Sequence, residues 1–115
     1  MTTKTAEELA HPSQEDIELG AVLHALSDPV RLKIVRALAA SACECTTGTI
    51  DVPVTKSTCT HHFKVLREAG VIQQRQEGTR RVNTLREEDL NARFPGLLGT
   101  ILEAAGPLPQ LTAAT

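Results

Sequence analysis

Apolar residues recur along this chain at spacings that change from segment to segment, and each change marks an element. Between Gln14 and Leu26 they fall on two sides of a helix. Ile17, Ala21 and Ala25 lie on one side, and Leu19, Val22, Leu23 and Leu26 on the other. A helix wetted on one face needs a single stripe. Two stripes predict contact with the chain's own core and with a second partner, most simply another copy. Ser13 and Asp16 resemble a capping box ahead of this helix. Asp28-Pro29 starts a second helix, with Asp as N-cap and Pro at the first helical position. Its core stripe is Val30, Ile34 and Leu38, widened by Leu32 and Val35. Arg31, Lys33 and Arg36 lie outside the stripe and read as solvated.

The period is lost over residues 40–54, ASACECTTGTIDVPV, where Gly48, Pro53 and the threonines argue against a long helix. Alternation of Ile50, Val52 and Val54 with polar residues predicts a short extended piece there. From Thr55 the helical period returns. Thr55 suits an N-cap and Gly70 a left-handed exit. Cys59, His62, Phe63, Leu66 and Ala69 form a buried stripe between them. Another face carries Ser57, Thr60, His61 and Lys64, which are short hydroxyls, an imidazole and an ammonium. Such donors, acceptors and cations suit entry into a DNA groove. Val71–Gln76 and Arg80–Leu85 then read as a hairpin turning at Glu77-Gly78-Thr79, with Gly78 at positive φ. Its polarity predicts little burial and a reach into solvent or onto a ligand. A short helix follows over Glu87–Arg93. The Phe94-Pro95 pair breaks it, and a last helix runs from Pro95 to about Ala105 with Leu97, Leu98, Ile101, Leu102 and Ala105 in one stripe. Residues 1–12 and 106–115 read as flexible tails around one domain spanning 13–105.

Composition supports this reading. A chain of 115 residues is one domain, and with 2% aromatic residues and no Trp or Tyr its core must be aliphatic, which favours helices. No apolar run approaches the roughly 18 residues of a membrane span. The first residues, MTTKTAEELAHPSQED, lack the apolar region of a secretory signal. Three cysteines are therefore expected as reduced thiols in the cytoplasm. The net charge of −2 hides a division. Between Val54 and Arg86, Lys56, Lys64, Arg67, Arg75, Arg80, Arg81 and Arg86 face only Glu68 and Glu77, a balance of +5 that leaves −7 for the remainder. A basic patch on an acidic body orients the approach of a polyanion. No nucleophile and base stand in a recognisable local frame, so an enzyme is not expected.

The order of elements is a winged helix-turn-helix. LSDPVRLKIVRAL (Leu26–Leu38), STCTHHFKVLREAGVI (Ser57–Ile72) and EGTRRVNTLR (Glu77–Arg86) resemble the ArsR/SmtB family of bacterial transcriptional regulators, over about Ile17 to Ala105. The resemblance implies a mostly α fold with a small β-hairpin (α+β) and a homodimer formed by the first and last helices. It also implies repression of the protein's own operon, relieved by an inducer that is often a metal or metalloid ion. By family position Lys56, Ser57, Thr58, Thr60, His61 and Lys64 would meet bases and phosphates of double-stranded DNA. Arg75, Arg80 and Arg81 would hold the backbone through the wing. Dimeric readers place two such helices one DNA turn apart, so the operator is expected to be an imperfect palindrome.

Cys43-Glu44-Cys45 is the candidate sensor. On extended backbone both thiolates reach one side and one thiophilic or transition metal ion. The resemblance adds that arsenic, cadmium and lead sensors of the family carry a C-x-C near this point, though here it lies about two residues early. A third ligand is not evident; Cys59 reads as core, and His11 is a second candidate. Three readings stay open: thiolate metal binding, thiol redox sensing, and no sensing role. His24 reads as a packed or interfacial residue and His62 as a hydrogen-bonded core residue. The family's other common site, built on last-helix histidines, has no counterpart in residues 86–105. A winged-helix module serving protein–protein contact is the rival function, and it would replace the Ser57, Thr60, His61, Lys64 stripe with apolar anchors.

Overall fold

A computed structural model describes residues 10–41, 45–46 and 55–106. It contains α1 (Leu19–Leu26), α2 (Pro29–Ser41), β1 (Cys45–Thr46), α3 (Lys56–Ala69), β2 (Ile72–Glu77), β3 (Arg80–Leu85), α4 (Glu87–Arg93) and α5 (Leu97–Ala105), preceded by a 3-10 turn over Gln14–Asp16. The fold is the winged-helix arrangement of helices with an antiparallel hairpin. The sheet has one strand more than the expected hairpin, because β1 pairs with β3 in the order β1-β3-β2. The alternating segment at Ile50, Val52 and Val54 lies outside the described residues.

The continuous helix expected from Gln14 to Leu26 is broken. Ile17 and Glu18 are extended, with ψ of 124° and 139°. The break is held from far along the chain. Arg93 on α4 donates from Nε and Nη2 to the Ile17 carbonyl at 3.1 and 2.6 Å. Ser13 spends its hydroxyl on the Asp16 carboxylate, at 3.0 Å, and caps no helix. Restarting at Leu19 shifts the phase of the helix. Ile17, Val22, Ala25 and Leu26 point inward, while Ala21 is exposed and Leu19 and Leu23 are each 45% exposed. The outward apolar stripe therefore exists, with membership different from that expected.

Asp28 caps α2, accepting from the amides of Val30 and Arg31 at 2.8 and 3.1 Å. Ile34, Val35 and Leu38 enter the core as the spacing predicts, against Phe63 and Leu66 of α3. Arg31 is not solvated. It is buried and donates to the carbonyls of Ala25 and His24 at the end of α1, at 2.7 and 3.3 Å. A buried guanidinium persists only when its donors are used, and Arg31 uses three of them, the third on His62 of α3.

α3 ends in a Schellman turn. The Val71 amide donates to the Leu66 carbonyl at 3.0 Å and the Gly70 amide to that of Arg67 at 3.1 Å. Gly70 has φ of +88°, and a Cβ there would stand 2.6 Å from Ile17 Cγ1. The glycine thus meets two demands, a left-handed exit and a close approach by the chain entering α1. α5 begins at Leu97 after Gly96, which takes a left-handed φ of 81°, two residues later than the start expected at Pro95. His11 and Pro12, read from sequence as tail, are held on the hairpin. His11 Nε2 accepts from the Gln74 amide at 3.0 Å, and the Pro12 carbonyl accepts from Arg86 at 2.9 Å.

Candidate nucleic-acid interface

α3 is positioned by its two ends and its buried side. Thr55 Oγ1 accepts from the Thr58 amide at 3.3 Å and fixes the first turn. His62, Phe63, Leu66 and Ala69 bury one face, with Cys59 packed half-buried beside them. Burial pushes the Cys59 thiol above its ordinary pKa, as befits a small core residue rather than a thiolate. The opposite face carries Ser57, Thr58, Thr60, His61 and Lys64, all exposed. The helix therefore presents the polar stripe to solvent as its spacing predicted. Thr58 differs from the others, because its hydroxyl takes the Thr55 proton at 2.9 Å within the cap. Lys64 pairs with Glu68 at 3.3 Å, which brings a carboxylate to the C-terminal end of the stripe. The Lys56 side chain lies outside the description.

The hairpin is less peripheral than its composition predicted. Ile72, Gln74, Val82 and Asn83 are buried at its base. Arg67 of α3 donates to Gln74 Oε1 at 2.8 Å, and Gln74 Nε2 donates to Asn83 Oδ1 at 2.8 Å. This buried amide network locks α3 to the hairpin. Sequence reading assigned Arg67 to the basic patch and passed over Gln74 and Asn83. The available signal was that Arg67 follows Phe63 at i+4, toward the buried side of the helix.

Strand register sorts the wing arginines. Glu77 pairs with Arg80, Gln76 with Arg81, and Arg75 with Val82. Directly opposed residues share a face of the sheet, and residues two apart along a strand do so too. Arg75, Glu77 and Arg80 therefore stand together on one face, and Gln76 and Arg81 on the other. Glu77 binds both of its neighbours. Its Oε2 lies 2.7 Å from Arg75 Nη2, and its Oε1 lies 3.2 Å from Arg80 Nη2. Arg81 donates from Nε to Gln76 Oε1 at 2.7 Å. Arg86 turns inward, pairing with Asp89 at 2.9 Å. The positive surface is thus narrower than the count of cations suggested. It comprises the exposed face of α3 and the arginine-bearing end of the wing.

Cys43 lies outside the described residues. Cys45 starts β1, opposite Asn83 of β3, so extended backbone is present at one of the two cysteines. Among the described residues no three His, Cys, Asp or Glu groups stand together to hold a metal. His11 Nε2 is occupied by the Gln74 amide. No helix among the described residues is long and apolar enough to cross a membrane.

A helix-turn-helix domain family model matches residues 26–75. The chain is 36% identical over 91 residues to YceK of Bacillus subtilis (strain 168), an uncharacterized HTH-type transcriptional regulator, across 76% of this chain and 91% of that protein. It is also 36% identical over 59 residues to the HTH-type regulator MJ1325 of Methanocaldococcus jannaschii, across 50% of this chain and 66% of that one. In three dimensions it resembles an ArsR family transcriptional regulator, RHA00566, with TM-score 0.60 and 20% identity over 77% of this chain and 98% of that one. The transcriptional repressor BigR from Xylella fastidiosa superposes with TM-score 0.53 and 25% identity, over 66% and 85% of the two chains. With the helices, the wing and these relatives in agreement, the chain belongs to the helix-turn-helix transcriptional regulators, and its winged fold is that of an ArsR family regulator.

Proposed function

We propose that the protein is a homodimeric repressor that lays α3 in the major groove of a pseudopalindromic operator and sets its wing on the flanking backbone. The observation that carries this reading is the exposed stripe of α3. Ser57, Thr60, His61 and Lys64 face solvent together, with no apolar anchor among them of the kind a protein partner would need. Hydroxyl and imidazole groups read base edges, while Lys64 and the wing arginines meet phosphates, which set register rather than sequence. Dimerisation is supported by the exposed Leu19 and Leu23 of α1 and by half-buried Leu97, Ile101 and Leu102 of α5. The repressor relative from Xylella fastidiosa supports repression as the mode of control.

Induction through Cys43 and Cys45 is the second arm of the proposal. Its support is the C-x-C spacing, together with the extended backbone of Cys45 on the wing's own sheet. A thiophilic ion bound there would act on the sheet that carries the wing.

Both arms are tested by fluorescence anisotropy on DNA from upstream of the protein's own gene. The reading expects a complex that resists competition by random DNA and weakens steeply with salt. As(III), Cd(II), Zn(II), Ni(II), Cu(I) and peroxide are then added in turn to wild type and to Cys43→Ser and Cys45→Ser. Release by one of them, lost in both variants, supports thiolate induction. A wild-type complex indifferent to all of them removes that arm and leaves DNA binding standing. Binding no tighter than to random DNA removes the first arm.

A further inference from the structure

The two faces of the wing treat their arginines differently. On one face Arg75 and Arg80 share the carboxylate of Glu77, at 2.7 and 3.2 Å. On the other face Arg81 rests on a neutral side chain. Gln76 lies directly opposite it across the hairpin, and Gln76 Oε1 accepts from Arg81 Nε at 2.7 Å. Gln76 is itself held, because its Nε2 donates to the Gly78 carbonyl at the turn, at 3.0 Å. An arginine Nε only donates and a carbonyl only accepts, so the two contacts together admit one orientation of the amide. Among the described residues the Nη1 and Nη2 groups of Arg81 hold no partner. Gln76 also shares its face with Gln74, two residues earlier on the strand, and Gln74 is bound by Arg67 of α3. The Gln76–Arg81 face is therefore the one turned toward α3.

We propose that Gln76 is a positioning residue that aims Arg81 at a backbone phosphate, and that Arg81, rather than Arg75 or Arg80, carries the wing's phosphate contact; this rests on the reading that the wing meets DNA. With Nε spent on Gln76, the Nη1–Nη2 edge of Arg81 remains to take two phosphate oxygens side by side. A guanidinium already held in place loses less freedom when it binds. Its partner is uncharged, so Arg81 offers a full positive charge. Arg75 and Arg80 offer one net charge between them, and a phosphate approaching either meets the Glu77 carboxylate. A phosphate contact made by these two has to break or share an ion pair, which weakens the complex by what the pair was worth. Arg81 gives up no ion pair on binding. The three wing arginines, alike in sequence, are thus unequal in what they contribute.

The test compares wild type, Arg81→Ala, Arg80→Ala, Gln76→Met and the Gln76→Met/Arg81→Ala double variant. Each is titrated by anisotropy, from low to moderate salt, on a duplex from upstream of the protein's own gene. Arg81→Ala is expected to weaken binding by about tenfold and to flatten the log–log salt slope by about one unit per protomer. Arg80→Ala makes the same change in net charge, and is expected to weaken binding by less than about threefold. Gln76→Met keeps the length of the side chain without its acceptor. It should weaken binding by about threefold or more when Arg81 is present, and by less than about 1.5-fold once Arg81 is Ala. Equal losses from Arg80→Ala and Arg81→Ala overturn the assignment of the contact to Arg81. A Gln76→Met loss that is absent, or that persists undiminished without Arg81, overturns the positioning role. Either result leaves the DNA-binding reading intact. A wild type that binds the duplex at no salt concentration overturns both.

Discussion

Arg31 Nη1 lies 3.2 Å from Nδ1 of His62, buried between α2 and α3. A guanidinium carries donors only, so this contact makes His62 Nδ1 an acceptor and places the ring proton on Nε2. The same guanidinium holds the last carbonyls of α1. One side chain thereby joins α1, which carries the outward leucines, α2 and α3. Replacing Arg31 with Met keeps the stem's packing but takes the guanidinium donor from two buried acceptors, the Ala25 carbonyl and His62 Nδ1, while the His24 carbonyl keeps Ser27. Each such group costs about 1–3 kcal/mol, incompletely additive. Urea unfolding of Arg31→Met is therefore expected to show a loss of about 2–4 kcal/mol, with a smaller loss for Arg31→Lys, which keeps one donor head. A loss below about 1 kcal/mol for Arg31→Met would show that the clamp is not needed.

The Gly70–Ile17 contact makes a second prediction. Ala at position 70 is strained at φ +88° and brings its methyl to 2.6 Å from Ile17 Cγ1. Together these effects are expected to cost about 2–4 kcal/mol. Ile17→Ala removes the obstructing carbon and creates a cavity of its own. Combining the two should therefore cost less than the sum of the single losses, by about 1 kcal/mol or more. Strict additivity in a double-mutant cycle would show that the two residues are not in conflict.

Asp28 links stability to acid pH. Partial burial pushes its carboxyl up, but hydrogen bonds from the amides of Arg31 and Val30 lead the effects that outweigh this and hold it below the ordinary carboxylate value. Because the folded pKa is depressed, the ionised form favours the folded state. The contribution is fully present above the unfolded pKa, near 3.9, and is lost as pH falls through the lower folded value. Asp28→Asn keeps a capping oxygen and cannot ionise. The stability gap between wild type and this variant should be constant from neutral pH to about 5 and shrink below about 4. A gap that grows on acidification would contradict the assignment.

The parts of the fold legible in sequence are those specified locally. Thr55, Gly70 and Gly78 each sit at a boundary whose geometry only a few residue types accept, so α3 and the hairpin turn could be placed to within a residue. The exposed stripe of α3 was legible for the same reason, since it follows from helical period alone. What could not be read is what depends on distant partners. The break at Ile17 is held by Arg93, 76 residues away. Arg31 and Arg67 look like surface charges because a long stem does not reveal where its head goes. Their burial depends on His62 and Gln74, which sequence gives no reason to pair with them. The wing's polarity was read as exposure for a related reason, since Gln74 and Asn83 satisfy each other inside the sheet.

The central claim is that α3 reads sequence as one half of a symmetric pair. Selection from a pool of random duplexes tests it most directly. After several rounds the wild type is expected to enrich an inverted repeat with half-site centres about one helical turn, roughly 10 bp, apart. His61→Ala should change the preferred base at one position of each half-site, and Arg81→Ala should leave the repeat unchanged while weakening every sequence alike. Enrichment of no motif, or of one that His61→Ala leaves untouched, would contradict the account.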